Sequence, residues 1–204
     1  IVLHEGPRRR IMACNQCAAN DGIKAGLALK NAYALVPDLI ISDFDEAEQN
    51  AHIEQLTLWA LQYSSWVCPE PPDIILLEIA ASLKLFGGLN KLIKHVVNTA
   101  REQHVNVSTG IAPTPKAAEL FARAGMHEPV IHNSSLIETL ATVPVGYLPL
   151  DDFTLKGLRQ SGIRTLAELR SIPPAALTRR FGSQCTELLY KLDGRLPDPK
   201  EAYK

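Results

Sequence analysis

The chain of 204 residues is poor in the features that mark several functional classes. No apolar run approaches the ~20 residues a membrane span requires, and the longest, Ile74–Ile79, is broken by Glu78. The first ten residues lack the long apolar stretch of a secretory signal. Aromatic residues make up only 6%. The four cysteines, Cys14, Cys17, Cys68 and Cys185, are too few and too scattered for a disulfide framework. Cys14 and Cys17 form a C-x-x-C, which suggests half a zinc site or a redox pair. A zinc site needs a second close pair, and no neighbouring base marks a reactive thiol. We therefore read them as small buried residues in a reducing cytosol. The six histidines show no helical pairing, so no metal and no cofactor are expected.

Charge of one sign is also missing locally. Between Asn31 and Ala80 there is no Lys or Arg, only acids from Asp38 to Glu78. From Thr154 to Arg195 the balance reverses, with Lys156, Arg159, Arg164, Arg170, Arg179, Arg180, Lys191 and Arg195 facing three acids. Net charge is −1, so any polyanion surface must come from this segregation. The basic end fits a polyanion surface or a solvated helix face; the acidic end fits a partner site or a solvated helix.

The rest is ordinary globular material, 46% hydrophobic and 21% charged, long enough for one large domain or two small ones. Short strands are expected at Arg10–Cys14 and Leu39–Ser42, a helical turn at Cys17–Asp21 and a helix from Gly26 to Leu35 before Pro37. Asp43 and Asp45 offer caps for a helix running to about Tyr63, with Ile53, Leu56, Ala60 and Tyr63 on its apolar face. Asp73–Ile79 predicts a strand. After Gly87 and Gly88, the spacing of Leu89, Leu92, Ile93, Val96, Val97 and Ala100 predicts an amphipathic helix. The alternation of Val105, Val107, Thr109 and Ile111 predicts another strand, and Lys116–Ala124 a helix. Beyond Ser134, short Pro- and Gly-punctuated helices are expected at Leu136–Thr142, Thr154–Gln160, Thr165–Arg170, Pro174–Arg180 and Ser183–Leu192. The fold class is α+β. The chain opens without Met and ends in a Pro-rich stretch, which reads as a fragment.

Several segments, taken in order, resemble the Y-family DNA polymerases of the UmuC/DinB superfamily. Gly22-Ile-Lys-Ala-Gly26, with the following helix and Val36–Leu39, resembles their fingers. Asp73–Ile79 resembles the catalytic palm strand, Thr109–Ala112 the start of the palm helix, and Leu155–Ile163 with Thr165–Leu169 the thumb. Leu83–Gly88, Gly110–Pro115, Leu158–Leu166 and Arg180–Gly182 are similar to the ImuB branch, whose members are described as lacking polymerase activity. The resemblance implies a Y-family core with helical fingers at 1–64, a ferredoxin-like palm sheet at 65–133, an all-helical helix-hairpin-helix thumb at 134–195 and a linker at 196–204. It places a further palm strand, with its metal-binding Asp, upstream of Ile1.

The resemblance also supplies a test of the chemistry. Nucleotidyl transfer needs carboxylates around two Mg²⁺ ions. The family's paired acids fall on Asp73 and Ile74, and Glu78 matches an acid outside that pair. The Tyr and Arg that hold the triphosphate fall on Gln16 and Ala19, and a Lys after the palm helix falls on Met126, although Arg123 is nearby. Asp73 is thus read as vestigial, with no catalytic residue and no metal. The thumb's glycine turn is replaced by Leu148-Pro149-Leu150-Asp151 and Asp152, carboxylates that repel phosphate. Lys156, Arg159, Arg164, Arg179 and Arg180 are the candidate contacts to DNA backbone, giving weak, non-specific binding.

The implied function is a non-catalytic scaffold in SOS-induced translesion synthesis, cytoplasmic and nucleoid-associated. Its implied partners are primer–template or damaged DNA, an ImuA-like protein, an error-prone replicative-type polymerase and the sliding clamp. The alternative is an active translesion polymerase.

Overall fold

The computed structural model describes Val2, Leu3 and residues 9–204. The chain divides into two compact units, Ile1–Gln55 and Leu56–Lys204. The expected stretches 65–133 and 134–195 thus fall in one unit, and the expected 1–64 lobe is divided at Gln55.

In the first unit, β1 (Val2–Leu3) pairs antiparallel with β2 (Ile11–Ala13) and parallel with β3 (Ser42–Asp43). Two short helices, α1 (Gln16–Asn20) and α2 (Leu29–Leu35), follow β2. Asn15 caps α1 by accepting the Ala18 N–H at 2.9 Å. Ile11, Ala18, Ile23 and Ala32 form a small core. Asp45 caps α3 (Glu46–Ala60), its Oδ1 accepting from the amides of Ala47 and Glu48 at 2.8 and 3.1 Å. The division between the units falls inside this helix. Ile53, Ala60 and Tyr63 are buried as their spacing requires, and Leu56 is half-buried.

The second unit opens with a hairpin, β4 (Val67–Glu70) against β5 (Ile74–Leu77), in register from Val67↔Leu77 to Glu70↔Ile74. A turn through Pro71, Pro72 and Asp73 joins the strands. Gly88, with φ of 108°, then admits α4 (Leu89–Glu102), which buries Leu92 and Ala100. Thr114 caps α5 (Pro115–Ala124), with Pro115 in its first turn, and left-handed Gly125 ends it. The helices α6 (Asn133–Ala141), α7 (Asp152–Gln160), α8 (Leu166–Arg170), α9 (Pro174–Phe181) and α10 (Ser183–Leu192) complete the unit. A single core joins Ala117, Leu120 and Phe121 of α5 to Leu140, Leu158, Leu169, Leu177 and Leu192.

Two expectations are corrected. Residues 105–111 have no regular secondary structure and belong to no ladder; the backbone oxygen of Ile111 accepts from Val130 N–H at 3.0 Å. The reason lies at Gly110, where a Cβ would stand 2.2 Å from the Ala118 carbonyl oxygen and 2.3 Å from Ala122 N. The segment is pressed onto the α5 backbone rather than onto a strand. Cys17 is exposed rather than buried, whereas Cys14 is half-buried and donates to the Ile23 carbonyl at 3.4 Å. The described β-structure is two short sheets within a mixed helix and small-sheet fold, as the α+β class requires.

The terminal stretch 196–204 folds back on β4. Tyr203 N–H donates to the Val67 carbonyl at 2.7 Å, and Lys200 pairs with Glu70 at 2.8 Å. Burial pushes the Asp198 carboxyl up, but Lys191 and Lys200 outweigh it and hold it below the usual range. Among the described residues, no helix is long and apolar enough to cross a membrane.

Candidate functional site

Asp73 closes the β4–β5 turn, so its side chain is placed by the hairpin while Ile74 opens β5. Both carboxylate oxygens are engaged by one guanidinium from α5. Arg123 Nη2 lies 2.9 Å from Oδ1 and Nη1 lies 3.2 Å from Oδ2. This is the bidentate fork geometry that makes arginine–carboxylate pairs strong and directional. The same guanidinium donates from Nε to Glu119 Oε1 at 3.2 Å, and Lys116 donates to Glu119 Oε2 at 2.7 Å. Residues 116, 119 and 123 share one helical face at i, i+3 and i+7 spacing. The Glu119 side chain is only 7% exposed. Its two oxygens are each met by a cation, Arg123 on one and Lys116 on the other. Burial pulls the Arg123 pKa down, but Asp73 and Glu119 more than reverse that and raise it. Two acids and two bases neutralise one another. Ile74 is half-buried in the strand and supplies no ligand atom.

The fingers-like positions lack cations as well. Gln16 Nε2 donates to Asn20 Oδ1 at 3.0 Å, and Ala19 is exposed on the same helix. Met126 packs against the hydrophobic core of the second unit. Among the described residues, no group of three or more His, Cys, Asp or Glu is gathered as a metal site.

The five candidate backbone contacts lie around α7–α9, all exposed. Lys156 and Arg159 project from α7, and the Arg159 guanidinium packs over Gly146. Arg164 follows α7, its amide donating to Glu168 Oε2 at 2.6 Å within the capping region of α8. Arg179 and Arg180 end α9, where cations complement the helix dipole. Arg180 donates to Ser161 Oγ at 2.7 Å and lies over the Phe181 ring at 5.2 Å. Arg180 alone of the five lines a groove of about 460 Å³, with Asp151, Phe153, Gly157, Phe181 and Gln184.

Asp151 has a local duty. It caps α7 through the Thr154 amide at 2.9 Å and hydroxyl at 2.6 Å, and receives Gln184 Nε2 at 3.0 Å. The Thr154 hydroxyl and amide lower its pKa. One pairing and one residue of interest lie outside the sequence reading. The Asp73–Arg123 fork joins positions 50 residues apart, and only its Glu119–Arg123 half has a sequence signal, the i,i+4 spacing. Phe153 escaped because nothing in a helical pattern says that a Phe is left 87% exposed.

Comparison with known proteins places this geometry. The model of the impB/mucB/samB family matches residues 1–123. Protein ImuB of Caulobacter vibrioides is 30% identical over 161 residues, covering 79% of this chain and 35% of that protein. DNA polymerase IV of Pseudomonas aeruginosa is 27% identical over 179 residues, covering 85% of this chain and 51% of the polymerase. The chain therefore spans about a third to a half of these relatives. Among solved structures, DinB from Sulfolobus solfataricus superposes with a TM-score of 0.76 at 18% identity, covering 99% of this chain and 61% of the other. An insertion ternary complex of Dbh DNA polymerase matches at 0.76 and 17%, covering 98% and 62%. These structures share the fold; the family follows from the sequence match across more than half the chain. By that match, and by the α+β architecture it accompanies, the chain belongs to the impB/mucB/samB family and is a Y-family polymerase-like protein close to ImuB.

Proposed function

We propose that this chain is part of a catalytically inactive Y-family homologue that acts as a DNA- and protein-binding scaffold in SOS-induced translesion synthesis. The observation that carries the reading is the Asp73–Arg123 fork beside Ile74. A Mg²⁺ pair needs several free, anionic oxygens at near-octahedral geometry. Here one carboxylate stands where the family has two, and an internal cation already holds both of its oxygens. The residues do not fit the metal pair. Gln16, Ala19 and Met126 likewise supply no positive charge for a triphosphate.

The DNA side of the proposal rests on Lys156, Arg159, Arg164, Arg179 and Arg180, exposed around α7–α9. Each phosphate neutralised contributes a slope of about −0.9 in log K against log salt, so these five set a limit of roughly −4.5. In this reading 1–64, 65–133 and 134–195 serve as fingers-like, palm-like and thumb-like surfaces. An ImuA-like protein, an error-prone polymerase and the sliding clamp are proposed protein partners, and the proposed place of action is the cytoplasmic nucleoid.

The test is binding to fluorescent primer–template DNA at two salt concentrations, with and without Mg²⁺ and dNTP. Binding that falls with salt and ignores Mg²⁺ and dNTP is expected. Similarity to DNA polymerase IV favours the second reading, an active translesion polymerase. Tightening by the correct dNTP with Mg²⁺, or primer extension, establishes that reading and overturns ours.

A further inference from the structure

Backbone contacts leave the groove beside α7 unexplained. Gly157 lies in its wall beside the Phe181 ring, which a Cβ there would meet at 3.4 Å, an ordinary van der Waals contact. One end carries Phe153, 87% exposed although its helical neighbours Thr154 and Leu158 are buried. The other end carries Arg180, stacked on Phe181 and anchored to the Ser161 hydroxyl. From Phe153 to Ser161 the helix rises about 12 Å, and the groove holds about 460 Å³, room for a nucleotide. Gln160 and Gln184 add amide groups to the walls.

The charges are arranged by end. Asp151 and exposed Asp152 lie at the N-terminus of α7 beside Phe153, which disfavours a phosphate there. Arg180 lies beside Ser161 at the C-terminal end of α7, which favours one. A ligand that suits both ends has a neutral, flat, stackable part next to an anionic part. That is an unpaired nucleobase on its sugar–phosphate backbone. Aromatic faces stack any base, arginine holds the phosphate, and amide side chains meet base edges. In a duplex, base faces are already covered by their neighbours, so Phe153 finds no partner there.

We propose that this groove binds single-stranded DNA, Phe153 stacking an unpaired base while Arg180 holds the adjoining phosphate. The inference rests on the DNA-binding reading above and gives it a strand preference.

The experiment uses the whole chain and three labelled probes of equal length: oligo(dT), a duplex, and an abasic sugar–phosphate strand. Oligo(dT) is expected to bind more tightly than the abasic strand. Phe153→Ala weakens oligo(dT) binding by on the order of tenfold and leaves abasic binding unchanged. Phe153→Trp retains binding, and oligo(dT) quenches its added emission. Equal affinity for oligo(dT) and the abasic strand, or no effect of Phe153→Ala, overturns the stacking site. If Arg180→Ala still weakens binding in that case, backbone binding stands and the groove falls to a protein partner. If none of the three probes binds, both readings fall together.

Discussion

Two arginines beside carboxylates behave in opposite ways in this molecule. Arg123 is committed: its fork holds Asp73, its Nε holds Glu119, and Lys116 completes the balance. Arg180 is only tethered, to a serine hydroxyl and a ring face, while the nearby Asp151 is occupied by its own helix terminus. The first cluster has the Glu119 side chain 7% exposed; the second has Phe153 at 87%. Where charges are satisfied within the fold they stabilise it and leave nothing for a ligand. Where they are only positioned, the cost of ordering them is already met and their attraction remains available. Under the proposed function, the place that corresponds to catalysis in the family is the committed one.

Replacing each arginine should therefore break a different property. Arg123→Ala leaves Glu119 with one cation and Asp73 with none. We expect a loss of about 2 kcal/mol, below the ~3–5 of a fully buried pair because the guanidinium is 30% exposed. Urea unfolding reads this as a lower midpoint at unchanged slope, and DNA affinity should hold; a midpoint that does not move means the fork is not holding the hairpin to α5. Arg180→Ala should do the reverse. Stability stays within about 0.5 kcal/mol, while the salt slope of DNA binding becomes shallower by about 0.9; an unchanged slope removes Arg180 from the phosphate contacts.

A gentler probe is pH. Asp151 is held below its ordinary pKa by the Thr154 hydroxyl and amide, and Glu168 by the amides of Arg164 and Thr165. A depressed carboxyl contributes stability that is fully present above its unfolded value, about 3.9 for Asp and 4.3 for Glu. That contribution is lost as pH falls through the lower folded value. Asp151→Asn should lower stability at neutral pH, where the charge-dependent contribution is fully present, and flatten the acid limb below about pH 4, so that the two curves converge there. An unaltered acid limb would show that the cap makes no charge-dependent contribution.

Local signals were legible where one segment decides its own structure. Gly87 and Gly88 before a six-residue apolar stripe located α4, and Thr165 with Glu168 forms the capping box of α8. Ser183–Leu192 matches α10 at both ends. The strand β4 was not anticipated because Pro69 interrupts its run, and such a residue ordinarily demotes a strand to an edge. Residues 105–111 alternate as a strand does, yet the pattern cannot reveal that Gly110 brings the segment against a helix. Asp152, a carboxylate expected from the sequence to repel phosphate, is an exposed acid in the first turn of α7. From the sequence Asp151 carries the same expectation, but its capping bonds depend on where the helix begins. Residue type at 73 and 74 was plain in the sequence. The partner of Asp73 was not, because side-chain pairing across 50 residues leaves no local periodicity.

Gly110 then acquires a meaning for mutational tolerance. It touches none of the charges around Asp73, yet its bare α-carbon lets the chain lie against the first and second turns of α5, with no room for a methyl group. Any side chain there must move the helix that carries Lys116, Glu119 and Arg123, and a fork bond is sensitive to shifts of under an ångström. A silent backbone position thus governs a charged constellation on the same helix. A search for inactivating or reviving changes confined to the acids and bases would pass it by.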